Sequence, residues 1–274
     1  IEMGNDVYRL NPVEFPELVS IAKELTDAYP GLRKFPTSGG MFYGGGKGFI
    51  RLHPQLFTRG NEQHLAITLA HEIGHLTDYL PDRFLSRGNL LGRLYSLSRF
   101  MKNTYGDTDV RDKEVRKELM EITQILHPYK DDEVSASYKS YRRSSKELYA
   151  EAISMLLNSP GTMEKVAPKF TKTFFDNLDR KLEVKEAYFG IQELLNSKGR
   201  GVLYKRDTDI RKMFVKGQAL RQQMLDEKKL RKANMWEHVR QYVDDINRPI
   251  LKKIQDNEAK GVPDTSNVKY ELQE

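Results

Sequence analysis

Five consecutive residues, His71-Glu72-Ile73-Gly74-His75, constrain this chain more than any other feature. They lie in a stretch that reads as one helix over about residues 62–80, with Asn61 as its N-cap and Pro81 as its stop. On a helix, residues four apart lie one turn apart on the same face. His71 and His75 can therefore present two imidazole nitrogens to a single Zn²⁺, and Glu72 stands where its carboxylate can take a proton from a metal-bound water. Leu65, Leu69, Ile73, Leu76 and Leu80 form a separate core-facing stripe, which points away from the histidines at about 100° per residue. Gly74 costs the helix roughly 1 kcal/mol relative to Ala and is tolerable where another backbone must pass close by.

Two histidines do not complete such a site, because a catalytic zinc takes three protein ligands and keeps a fourth position open. The chain has no cysteine, which excludes thiolate ligands, disulfides and a cysteine nucleophile together. His64 and Asp78 lie seven residues before and after His71, near the same helical face. A straight helix does not wrap four of its own residues round one ion, so His64 reads as a polar residue of the first turn. Asp78 reads as a carboxylate supporting a ligand or closing the helix end.

The third ligand is better sought in a second helix, from about Ser145 to Leu157, stopped by Asn158-Ser159-Pro160-Gly161. Glu147 and Glu151 are four apart on one face of it, and a shared cation would relieve their repulsion. Ser144-Ser145-Lys146-Glu147 also fits a capping box, in which Glu147 merely closes the helix N-terminus and Glu151 becomes the ligand. Glu147 is the preferred ligand, with Glu151 bracing a histidine.

The run Glu147-x-x-Ala150-Glu151, following His71-Glu72-x-x-His75, resembles the glutamate-zincin metallopeptidases. The resemblance implies that the first acid is the third zinc ligand and that the acid four residues later orients a ligand histidine. Two departures stand out. The interval of 71 residues between His75 and Glu147 is longer than in thermolysin-like members and implies an inserted helical region, and the later acid is Glu rather than Asp. The longer side chain leaves the division of labour between Glu147 and Glu151 open. Gly40-Met41-Phe42, Ala66 to Leu80, Arg87-Gly88-Asn89-Leu90-Leu91-Gly92-Arg93, and Glu147 to Pro160 with Ala167-Pro168-Lys169-Phe170 are similar to one group in particular. It is the zincin-like domain embedded in large phage and mobile-element polyvalent proteins. That similarity implies a piece of a larger polyprotein, packaged in a virion and delivered to the host cytoplasm.

Around this centre the chain reads as α+β, predominantly α: a zincin-like fold with a small sheet before the active-site helix and a helical C-terminal extension. A first helix is expected over about Pro16 to Tyr29. Met41-Phe42-Tyr43 and Gly48 to Leu52 are expected as strands joined through Gly44-Gly45-Gly46-Lys47, a hairpin turn rather than a phosphate loop, since no Ser or Thr follows the lysine. Residues 84–127 read as a helical insertion, with Val115, Leu119, Ile122 and Leu126 on one side of an amphipathic helix. Asn196 to Gly201 marks a change of domain, giving a metallopeptidase domain over 1–198 and a basic extension over 199–274. Lys and Arg outnumber Asp and Glu by 11 to 4 within 200–232, against 28 to 27 over 1–199. The extension reads as two charged helices, Asp209 to Lys232 and Trp236 to Ile254, then a loosely ordered segment from Gly261. Its charge makes 200–232 a candidate nucleic-acid contact. No apolar run approaches the roughly 20 residues of a membrane span, and without cysteines or an export signal a cytoplasmic setting is the default.

The expected chemistry is peptide hydrolysis on a protein or peptide substrate, with Zn²⁺ held by His71, His75 and Glu147 and with Glu72 as the base. An oxyanion also needs a donor from the protein. Tyr138, Tyr141, Arg142 and Tyr149 lie near Glu147 in sequence and His127 further back, and all are candidates. Two other readings are a catalytically silent zincin module of a delivered particle and a nucleic-acid-binding protein acting through the basic tail.

Overall fold

The computed structural model of the chain describes residues 2–3, 6–7, 9–81, 113–196 and 204–259. It is mostly helical with a small three-stranded sheet, an α+β arrangement dominated by helix. Strands β1 (Glu2–Met3) and β2 (Asp6–Val7) form a short antiparallel pair. Helix α1 (Phe15–Thr26) is shorter than its apolar pattern predicts, because Asp27 takes a left-handed conformation at φ 61° and ends it.

The main sheet has the order β3 (Gly31–Leu32), β5 (Phe49–Leu52), β4 (Gly40–Tyr43). β4 and β5 form the expected antiparallel hairpin, with Phe42 opposite Ile50 and Tyr43 opposite Phe49. Its turn depends on glycine: Gly45, Gly46 and Gly48 all have positive φ, where a side chain is strained. β3 pairs parallel to β5 through only two residues, too few to leave a periodicity in sequence. One face of the hairpin, carrying Gly40, Ile50 and Leu52, is buried, and α2 (Glu62–Tyr79) packs on both of its strands.

In α2 the predicted stripe is the observed one. Leu65, Leu69 and Leu76 are completely buried, and Ile73 and Leu80 nearly so. Helix α3 (Lys113–Leu126) buries Val115, Leu119 and Ile122 as its amphipathic pattern requires. The rest of the expected insertion, including Arg87 to Arg93, lies outside the described residues. After α4 (Ala136–Arg142) comes α5 (Ser145–Asn158), which is buried from Glu147 to Leu157 and runs through the core. Its end differs from expectation. Pro160 does not open a loop but starts the next helix, α6 (Pro160–Val166), because a residue without an N–H costs nothing in a first helical turn. Helices α7 (Pro168–Asp176) and α8 (Leu182–Asn196) complete the packing with an aromatic group, Phe170, Phe174, Phe175, Tyr188 and Phe189.

The closest packing is between α2 and α5. A Cβ on Gly74 would lie 2.6 Å from the Cα of Ala150 and 2.9 Å from its carbonyl oxygen. Gly74 and Ala150 therefore let two helix backbones touch, and Ser154 Oγ ties them further by donating to the Ile67 carbonyl at 3.0 Å.

The C-terminal region corrects the prediction of two helices. One helix, α9, runs from Tyr204 to Ala259, since Ala233-Asn234-Met235 contains no residue that stops it. The chain divides into compact units at Gln218/Ala219, C-terminal to the compositional change at 196–201. The first turns of α9 belong to the first unit: Ile210 and Met213 are buried, and the Phe214 ring meets Phe15 and Phe57 at 5.1 and 5.3 Å. In the second unit the described side chains, Ala219 to Arg240, are mostly exposed, so the basic residues there are solvated. The segment from Gly261 lies outside the described residues. Among the described residues no helix is long and apolar enough to cross a membrane.

The Gly74–Ala150 contact carries a direct expectation. Gly74→Ala should lower the unfolding free energy by about 3 kcal/mol, the upper end of ordinary overpacking, because backbone rather than a movable side chain blocks the methyl group. Urea denaturation measures it, and an unchanged midpoint would show that the two helices can part without cost.

Candidate metal centre

His71 and His75 project from one face of α2, and Glu147 comes from the first turn of α5, which the Gly74–Ala150 contact holds against that face. Ser144 caps α5, its Oγ accepting from the Glu147 backbone N–H at 3.4 Å. The reciprocal half of a capping box is not made. The Ser144 N–H donates instead to the Tyr141 carbonyl at 3.0 Å, which leaves the Glu147 carboxylate free to turn toward the histidines.

There it meets both rings. Glu147 Oε2 is 3.4 Å from His71 Nε2, Glu147 Oε1 is 3.5 Å from His75 Nε2, and the two Nε2 atoms are 3.1 Å apart. A tetrahedral ion with bonds of about 2.1 Å has ligand atoms about 3.4 Å from one another. Each imidazole thus approaches one oxygen of the carboxylate at about that spacing, and the three residues could hold a metal ion. Glu147 Oε2, on the side facing the histidines, is buried and lacks a hydrogen-bond partner, as an unsatisfied group of a metal site would be.

The electrostatics fit the same arrangement. Burial, together with the neighbouring His71 charge, pushes the pKa of His75 down to about 4, since two imidazoles so close cannot both carry a proton. Burial also acts against charge on His71, but its close contact with the Glu147 carboxylate and the charges of Glu151 and Glu72 outweigh it and raise its pKa. Glu147 behaves in the complementary way: burial opposes its ionisation, while its contacts with the two imidazoles, His71 foremost, more than compensate and lower its pKa.

Glu72 lies beside the triad and is nearly buried. Desolvation raises its pKa to about 7, against the opposing effects of His71 and of a hydrogen bond from the Phe42 backbone. A carboxylate so placed exchanges protons near neutral pH. A cleft of about 390 Å³ opens over these groups, walled by Gly40, Met41 and Phe42 of β4 on one side and by Tyr141 and Lys146 on the other.

The remaining candidates are dispersed. Tyr141 reaches the cleft that Glu147 lines; burial and the Glu147 charge hold its hydroxyl protonated. Asp78 lines the cleft beyond the triad but is outside the group able to hold an ion. Glu151 is fully buried behind His71, its Oε1 3.7 Å from His71 Nδ1, on the far side of the ring from Glu147. His127 Nε2 and Arg142 Nη1 meet that same oxygen at 3.2 and 2.6 Å. Tyr138 holds Arg142 through its hydroxyl at 3.2 Å and does not line the cleft. Tyr149 is a correction. Two residues past Glu147 on a helix means the opposite face, and its ring is buried against Phe170 at 5.9 Å. His64 is exposed, as its place in the first turn implies.

Sequence reasoning missed two parts of the site. One is the hydrogen bond from the β4 backbone to Glu72, which no side chain announces. The other is the attachment of Arg142 to Glu151, which no helical spacing specifies because the two residues are on different helices. No protein-family model, curated protein or solved structure matches the chain.

Two expectations follow from the geometry. Glu147→Ala should weaken divalent metal binding at least about 100-fold, since one ligand of three carries about a third of a binding free energy near 10 kcal/mol. Equilibrium dialysis reads this, and Tyr149→Phe serves as the control with unchanged affinity. Ser144→Ala should cost about 1 kcal/mol of stability through loss of the cap, measured by thermal unfolding of the metal-free protein.

Proposed function

We propose that the protein is a zinc-dependent metalloendopeptidase of the glutamate-zincin type, with His71, His75 and Glu147 as ligands and Glu72 as general base. The observation that carries this reading is the meeting of two imidazoles 3.1 Å apart with one carboxylate whose two oxygens lie 3.4 and 3.5 Å from them, beside the buried Glu72 carboxylate in an open cleft. Two imidazoles and one carboxylate form a ligand set that suits zinc and leaves a coordination position open.

Zinc bound there supplies a Lewis acid that lowers the pKa of a coordinated water toward about 7 and polarises a carbonyl oxygen. The chain's own residues do the rest. Glu72, held by the Phe42 N–H and by its closeness to His71, takes the proton of the attacking water and passes it to the leaving amine. Tyr141, kept protonated, donates a hydrogen bond from the opposite wall toward the oxygen on which charge develops. β4 ends its sheet and lines the cleft, so an extended peptide can lie along it through main-chain hydrogen bonds. By the resemblance already described, the substrate is the chain's own polyprotein or a protein of the host cytoplasm into which a virion delivers it.

Metal analysis after zinc repletion, followed by digestion of a peptide library, tests the reading. The wild-type protein should bind about one zinc and cleave. Glu72→Gln should retain the zinc and lose about 10²- to 10⁴-fold in rate, the usual contribution of a general base. A zinc-free wild type would sink the proposal. Zinc binding without any cleavage would favour a silent zincin module, and undiminished cleavage by Glu72→Gln would remove that residue as the base.

A further inference from the structure

Glu151 has one more rotatable bond than the aspartate it replaces in the better-known glutamate-zincins, so its carboxylate needs something to fix it. The structure supplies two such groups. Arg142, the last residue of α4, places Nη1 2.6 Å from Glu151 Oε1, and His127, just beyond α3, places Nε2 3.2 Å from the same atom. His71 Nδ1 faces that oxygen at 3.7 Å, one small shift from a hydrogen bond. Glu151 is completely buried, and the Arg142 side chain is only 14% exposed.

Arg142 is itself held from outside. Its Nε donates to the Tyr138 hydroxyl at 3.2 Å, and its guanidinium lies over the rings of Tyr138 and Tyr141 at 5.5 and 5.6 Å. The end of α4 therefore addresses the site twice, with Tyr141 against Glu147 and Arg142 against Glu151.

We infer that Arg142, with His127, is a positioning residue for the metal centre, clamping Glu151 so that Glu151 sets the ring orientation and tautomer of His71. This rests on the metallopeptidase reading above. The physical reason is a chain of donors and acceptors. A guanidinium only donates and an ionised carboxylate only accepts, so the imidazole nitrogen facing that carboxylate is its N–H donor. The proton of His71 then resides on Nδ1, and Nε2 presents its lone pair toward His75 and Glu147. A planar fork fixes a carboxylate in position and in plane, which a point charge does not.

The test compares wild type, Arg142→Gln, Arg142→Lys, Glu151→Gln and the Arg142→Gln/Glu151→Gln double variant. It reads zinc affinity by chelator competition, the visible spectrum of the cobalt-substituted protein and the thermal midpoint of the metal-free form. Arg142→Gln should weaken zinc binding about 10- to 100-fold and alter the cobalt spectrum, with partial recovery in Arg142→Lys. The double variant should bind zinc no more weakly than Glu151→Gln alone, because Arg142 acts through Glu151. A folded Arg142→Gln with wild-type zinc affinity and spectrum, or additive losses in the double variant, overturns the inference. Should Arg142→Gln fail to fold, Arg142→Lys and His127→Gln carry the same comparison, and wild-type affinity in both overturns it. A wild-type protein that binds no zinc overturns this inference and the peptidase reading together. A zinc-binding wild type with indifferent Arg142 variants overturns this inference alone.

Discussion

Everything at the centre of this protein depends on two helix backbones touching where Gly74 faces Ala150. A methyl group at position 74 would meet main-chain atoms 2.6–2.9 Å away, so the approach exists only because that methyl is absent. The contact lies between the two histidines on α2 and beside Glu147 on α5. It converts an i, i+4 pair on one helix and a single acid on another into atoms 3.1–3.5 Å apart. A glycine that weakens an isolated helix is thus what allows the tertiary contact.

The contact also gathers charge in a dry place. Glu72, Glu147 and Glu151 are all at most 6% exposed, and each finds a different solution. Glu147 shares its charge with two imidazoles. Glu151 is met from behind by Arg142 and His127. Glu72, with only a backbone N–H and a nearby imidazole, keeps a pKa near neutrality. Three similar carboxylates so come to differ through what surrounds them rather than through their own chemistry.

Much of this was legible before folding was considered. The α2 stripe, the hairpin with its glycine turn, the amphipathic α3 and the first residues of α5 all follow from periodicity and local stop signals. The failures have physical causes. Pro160 was read as a stop because a proline ends one helix and begins another with equal ease. The tail reads as two helices, Asp209 to Lys232 and Trp236 to Ile254, although nothing between them breaks a helix. Tyr149 is a candidate by sequence nearness alone, which a helix turns into opposite faces within two residues. Glu147 and Glu151 are told apart by a tertiary detail: the Ser144 N–H bonds to the Tyr141 carbonyl, which leaves the Glu147 side chain free of a capping role.

The sequence by itself determined that residues 62–80 form a helix with an apolar stripe and a pair of histidines on another face. It also determined that an acid pair follows on a second helix. Both rest on interactions within a turn or two of chain, where spacing alone dictates which side chains share a face. Only the tertiary structure decided that Glu147 meets the histidines, that Glu151 stands behind His71 under Arg142, and that the β4 backbone reaches Glu72. Those distances join residues from 9 to 80 positions apart. They are set by how closely helices and strands pack, which no local pattern encodes.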